Sequence, residues 1–303
     1  MNRLNSRYYS LDYLRGLMAL FVMIYHYSMW LNIPISTTSV IAKLGVYAVI
    51  IFYILSGLSL SLVYGSANDF NYSSFYIKRF FRIFPLYFSV VILTIALQFI
   101  NFKVAGGQFN FDAMEFLLNT TLLFGVFSPS SYIPIGGWSI GNEICFYILF
   151  PLLVFVFTKK SLILRFIILF LSFICFIFLN FFKIKEDASA WSLYIVPYNH
   201  VFVFVFGFII GFVRPVISLR KLFLIICLFC VLVFCFYTPE VNNFSMLFGW
   251  DRFTLTSLIC MFTFAYYLVN FEMSGSLHTV FNWLGEHCYS IYLTHPLVFF
   301  PIN

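Results

Sequence analysis

Residues 11–27 read LDYLRGLMALFVMIYHY. The stretch is apolar enough for a membrane span, yet it holds Arg15 and, eleven residues later, His26. Ionisable side chains at bilayer depth are costly and tend to line pathways, relays or binding sites. On an α-helix eleven residues make three turns plus about 20°, so both side chains share one face roughly 16 Å apart along the axis. The spacing predicts a helix with a polar stripe running from a cation near one end to an imidazole near the other. Taken singly, Arg15 also reads as a residue snorkelling to the headgroups, and His26 as a hydrogen bond to a neighbouring helix.

The rest of the chain supports a bilayer as the solvent. Of 303 residues, 62% are hydrophobic, 23% aromatic and 9% charged, with mean hydropathy +0.98. A soluble domain of this length cannot hide that much apolar surface. The apolar runs are continuous rather than alternating, which favours helices over a barrel. The fold class expected is all-α, a polytopic transmembrane helical bundle of about nine to ten spans. No repeat and no Pro/Gly/Ser-rich linker divides it, so residues 1–303 read as a single membrane-embedded domain. No cleavable signal peptide is evident. The seven cysteines all lie in or beside apolar segments and read as small hydrophobes. No metal site is expected, because the C-x-x-C at Cys227 and Cys230 has no second pair.

Spans are placed near 11–30, 41–64, 83–101, 142–158, 161–182, 194–213, 220–237, 252–270 and 282–300. With the N-terminus in the cytoplasm, eleven basic residues fall inside: Arg3, Arg7, Lys78, Arg79, Arg82, Lys159, Lys160, Arg165, Arg214, Arg220 and Lys221. Five fall outside: Lys43, Lys103, Lys183, Lys185 and Arg252. That asymmetry follows the positive-inside rule. It also accounts for the net charge of +6, so no nucleic-acid partner is implied. Residues 109–127 as a full span would invert everything downstream, and they read as a re-entrant or interfacial helix on the outer side.

Two further clusters carry chemistry. In IKRFFRIFPLYF (77–88), Lys78, Arg79 and Arg82 crowd the cytoplasmic mouth of the third span. Such a cluster anchors a helix against anionic lipid and equally suits a phosphate-rich donor, because guanidinium groups grip phosphate oxygens bidentately. In GGWSIGNEICFYILFPLL (136–153), Glu143 is placed in the first turn of the fourth span, where the helix dipole favours a carboxylate. Its inferred depth matches that of His26, so the two are expected to meet as a base and its orienting partner. Trp138, with Ser139 and Asn142 beside it, is a candidate contact for a saccharide. Ser56-Gly57 in the second span reads as a close helix crossing rather than a nucleophile. His287 and His295 read as polar glue on the last span.

These stretches resemble acyltransferase family 3. LDYLRGLMALFVMIYHY is similar to its opening, in which an Arg or Lys precedes a His with ten residues between. FYILSG (52–57), RFFRIFPLY (79–87), WSIGNEICFYILFPL (138–152), FGFIIG (206–211) and LGEHCYSIYLTHP (284–296) follow in the expected order. The resemblance implies an integral membrane O-acyltransferase using cytosolic acetyl-CoA (acyl-CoA) as donor, with no permanently bound cofactor. It implies a carbohydrate or lipid-linked saccharide acceptor and a setting in a bacterial inner membrane. Arg15 and His26 take the places of the family's essential pair, Arg79 and Arg82 those of its basic motif, and Glu143 that of its acidic residue. Family members usually continue past Y-S-x-Y-L-x-H-P through another helix, whereas this sequence stops at Asn303, so a final span is expected to be missing or the sequence truncated. The competing readings are a transporter or flippase for a lipid-linked or charged solute, and a non-catalytic relative.

Overall fold

The computed structural model describes residues 7–65, 70–106, 109–158, 162–181, 190–213, 215–239 and 247–300. Those residues form thirteen α-helices and no strand. Six of the helices are long and apolar enough to cross a membrane: α2 (Val40–Tyr64), α3 (Tyr72–Ala105), α6 (Gly137–Thr158), α7 (Leu162–Phe181), α10 (Arg220–Phe236) and α11 (Gly249–Val269). The helix α1 (Tyr9–Trp30) has the length but carries Asp12, Arg15 and His26. The chain is a multi-pass helical membrane protein.

Several expected spans take a different form. The run near 194–213 divides into α8 (Ala190–Tyr194), a 3-10 turn at Pro197–Asn199 and the ten-residue α9 (Val201–Ile210). The last run, 282–300, breaks at His287 into α12 (Gly275–Glu286) and α13 (Cys288–Phe299). Each of those has 12 residues, short of the ~20 that a span requires. Residues 109–127 form the short helices α4 (Ala113–Thr120) and α5 (Phe124–Phe127), neither able to cross. Buried Asn119 holds this segment together. It accepts from Tyr87 Oη at 2.7 Å and from the Ile133 amide at 3.1 Å, and donates to the carbonyls of Glu115 and Ser131.

The innermost helix is α2, packed against α1, α9 and α11. Its residues from Tyr47 to Leu58 are almost all buried. Where α2 crosses α9, Gly57 and Gly207 allow backbone contact. A Cβ at Gly57 would lie 2.1 Å from the Phe204 carbonyl oxygen, and one at Gly207 2.1 Å from that of Ile54. Small residues at such crossings permit the close packing that drives association in lipid. By contrast α10 buries only Cys230 fully, and α3 presents Phe80, Phe81, Phe88, Ile92 and Leu93 outward, as lipid-facing surfaces do.

Two cations expected in outer loops lie inside the protein instead. Lys43 is fully buried, and its ammonium caps the end of α10 through the carbonyls of Phe234, Cys235 (3.1 Å) and Tyr237 (2.9 Å). Arg252, 1% exposed, donates to the carbonyls of Leu247 and Asn199 at 3.3 and 3.2 Å and stacks over the Tyr194 ring at 4.8 Å. Its terminal nitrogens find carbonyl acceptors in place of water, while its Nε has no partner among the described residues. Arg3, Lys159, Lys160, Lys183, Lys185 and Arg214, which carry part of the expected charge asymmetry, lie outside the described residues, as does the chain end at Asn303.

Candidate functional site

A cavity of about 200 Å³ opens between α1, α2, α3, α6 and α13. It is bounded along α2 from Val49 to Val63, a rise of ~21 Å at the helical repeat. Three guanidinium groups line it, Arg15, Arg79 and Arg82, against one carboxylate, Glu143. An excess of cation in a low-dielectric wall makes an anion site.

The arginines come from a helix longer than expected. The sequence places Lys78, Arg79 and Arg82 at the mouth of a span beginning at residue 83. In the structure α3 starts at Tyr72, capped by the Asn71 side chain, and runs through the basic cluster and past Pro85. Because Arg79 and Arg82 lie three residues apart on one helix, both guanidiniums face the same cavity. Arg79 packs over the Phe75 and Tyr147 rings, and its buried Nε has no partner. Arg82 is exposed, within the cavity wall. Lys78 is exposed as well and does not line the cavity.

Arg15 is held rather than free. Its guanidinium donates to Asp12 at 2.8 Å, to the Leu55 carbonyl at 3.2 Å and to Ser59. Asp12 also accepts from Arg7 at 2.8 Å, and Arg7 reaches Glu286 at 3.0 Å. The chain Glu286–Arg7–Asp12–Arg15 therefore ties α12 to the base of the cavity. The sequence alone gives no sign of it beyond the unusual carboxylate in the first turn of α1.

The expected meeting of His26 and Glu143 does not occur. Glu143 lines the cavity, where it accepts from Ser56 at 3.3 Å and from the Tyr147 hydroxyl. The misplacement stems from where α6 begins. It starts at Gly137, just after Gly136 at φ +81, so Glu143 sits six residues in, about 9 Å from the helix start. At that depth its neighbours are the arginines.

His26 instead pairs with His295, Nδ1 to Nε2 at 2.7 Å, and its ring stacks on Trp30. His295 follows Tyr292, a cavity-lining residue, by three positions on α13, a rise of ~4.5 Å. Arg15 lines the cavity itself, while His295 lies one helical turn beyond its Tyr292 end and His26 is hydrogen-bonded to His295. Arg15 and His26 share a helix and a general direction but not the same wall.

The three expected saccharide contacts separate. Ser139 lines the cavity and donates to the Gly136 carbonyl at 2.9 Å, with the Tyr292 hydroxyl also at 2.9 Å. Trp138 is buried against Trp191, Tyr194 and His200. Asn142 is buried, donates to the Tyr53 hydroxyl at 3.0 Å, and leaves its Oδ1 without a partner. Neither lines the cavity. His200, which carries no signal in the sequence, is fully buried between Tyr53, Trp138 and Arg252.

The described residues thus form a helical membrane bundle with an arginine-lined cavity and an imidazole pair beyond it. The family model described as an acyltransferase domain (acyltransferase family 3) matches residues 8–303, essentially the whole chain, and the protein belongs to that family. No curated protein and no solved structure matches it. The protein is a membrane acyltransferase.

Proposed function

We propose that the chain moves an acetyl or other short acyl group from cytosolic acyl-CoA to a hydroxyl of a cell-surface or lipid-linked carbohydrate, in a bacterial inner membrane. The observation that carries this reading is the pair Arg79 and Arg82, two cations facing one cavity whose far end lies a helical turn from His295, the partner of His26. With the N-terminus in the cytoplasm, the arginine end of the cavity faces the compartment that holds acyl-CoA. Arg79 and Arg82 grip the phosphates, since charge-assisted contacts to phosphate are the strongest that a guanidinium makes. Lys78 adds long-range attraction at the entrance. Arg15, fixed by Asp12 and Ser59, borders the path of the pantetheine arm.

His26 then removes the proton of the acceptor hydroxyl as its oxygen attacks the thioester carbonyl. The C–S bond breaks, the departing sulfur takes the proton from the imidazolium, and ester and free thiol result. Glu143 limits the cavity's positive charge rather than orienting the base. Ser139 is the substrate contact among the three expected, with Trp138 and Asn142 supporting the wall behind it.

Mass spectrometry of surface glycans from cells with and without the chain tests this reading. The expected result is loss of one acetyl increment from a glycan in its absence and in His26→Ala. Unchanged glycans in both would contradict it.

A further inference from the structure

The polar partner of His26 lies at the far end of the molecule's sequence, and its hydrogen bonds determine the protonation of both rings. His295 Nδ1 lies 2.6 Å from the Tyr292 carbonyl oxygen. A carbonyl can only accept, so Nδ1 of His295 carries the hydrogen. In the neutral ring its Nε2 is then a bare lone pair. That lone pair lies 2.7 Å from His26 Nδ1, so His26 must donate from Nδ1. The consequence is that Nε2 of His26, for which no partner is present among the described residues, is the unprotonated nitrogen.

We infer that His295 is the positioning residue of the acyl-transfer base: it fixes His26 as the Nδ1–H tautomer and leaves Nε2 free to take a proton. The inference rests on His26 acting as the base. Two further features of the geometry support it. Trp30 stacks near-parallel on both imidazoles, at 5.3 Å and 24° on His26 and 5.8 Å and 15° on His295, which fixes the ring planes. The Tyr27 hydroxyl donates to the His295 carbonyl at 3.0 Å, locking α13 to the turn of α1 that bears His26. When His26 Nε2 gains the acceptor's proton, the Nδ1–H bond to His295 becomes charge-assisted and strengthens. The aromatic face of Trp30 also favours the cation. Serine hydrolases hold their base histidine in one tautomer by a similar bond, there to a carboxylate; here the terminal acceptor is a backbone carbonyl reached through a second imidazole.

The test uses the full-length protein in lipid nanodiscs with ¹⁵N-labelled histidine, assigned by His26→Gln and His295→Gln. Nitrogen shifts are expected to show Nδ1–H and bare Nε2 on both His26 and His295. In His295→Ala, His26 should lose that single tautomer. In His295→Gln, whose amide oxygen can still accept, it should keep it. Transfer from radiolabelled acetyl-CoA to glycan in inverted vesicles of the producing strain should fall on the order of 10²-fold in kcat for His295→Ala. KM for acetyl-CoA should stay unchanged, and His295→Gln should recover much of the rate. An Nε2–H tautomer on wild-type His26 overturns the inference, whatever the variants do. Full activity in His295→Ala with none in His26→Ala overturns the inference and leaves the acyl-transfer reading standing. Full activity in His26→Ala removes that reading itself, and with it any base for His295 to position.

Discussion

Arg82 and Arg252 are both arginines within membrane-spanning helices, and their surroundings differ completely. Arg252 is sealed: carbonyls of Leu247 and Asn199, the Tyr194 ring and His200 surround it, and it does not line the arginine cavity. It joins α11 to the loop before α9, as Lys43 joins α2 to the end of α10. Arg79 and Arg82 line an open cavity, although the Nε atoms of Arg79 and Arg252 alike have no hydrogen-bond partner among the described residues. An intramembrane cation by itself therefore does not mark a site. The distinction lies in whether the guanidinium borders a cavity or is enclosed by protein groups.

Four variants sharpen this contrast, beginning with the strongest. Arg79→Ala/Arg82→Ala should reduce acyl transfer at limiting acetyl-CoA by more than about 100-fold while leaving the melting temperature near that of wild type, since two charge-assisted contacts at ~1.5–3 kcal/mol each are lost. Arg252→Met should do the reverse. With two buried carbonyls unpaired it should destabilise the protein by ~2–4 kcal/mol, read as a lower melting temperature in detergent, with KM for acetyl-CoA unaltered in the folded fraction. Gly57→Ala forces backbone apart at the α2–α9 crossing and should cost ~1–3 kcal/mol, lowering folded yield without selective effect on the donor. The smallest change is expected from Glu143→Gln. It keeps a hydrogen-bond acceptor for Ser56 and Tyr147 but removes the cavity's negative charge. Binding of coenzyme A, followed by calorimetry, should tighten by about threefold, the scale of a partly screened charge interaction of under ~1 kcal/mol. Weaker binding in that variant would mean that Glu143 contacts the ligand rather than balancing charge.

The sequence conveys the helical class, the Arg15–His26 helix and the co-facing Arg79 and Arg82, because each rests on a local period. Depth is what it misjudges. Glu143 is placed more than one turn too shallow because α6 begins at a glycine turn, five residues before the expected start. The last apolar run reads as one span because nothing in it except His287 marks the break between α12 and α13. The pairings of His26 with His295 and of Arg252 with Asn199 join residues 269 and 53 positions apart. Such contacts are set by how helices pack, and a single sequence with no periodicity linking the partners does not reveal them. Lys43 and Arg252 read as loop charges for the same reason: near span ends, hydropathy does not distinguish a solvated cation from one that caps a neighbouring helix.

A density map of the protein with coenzyme A bound in nanodiscs tests the central claim most directly. The account predicts phosphate density within hydrogen-bonding distance of the Arg79 and Arg82 guanidiniums, with the pantetheine thiol directed past Arg15 toward Tyr292 and His26. Coenzyme A bound anywhere else, with this cavity empty, would contradict it.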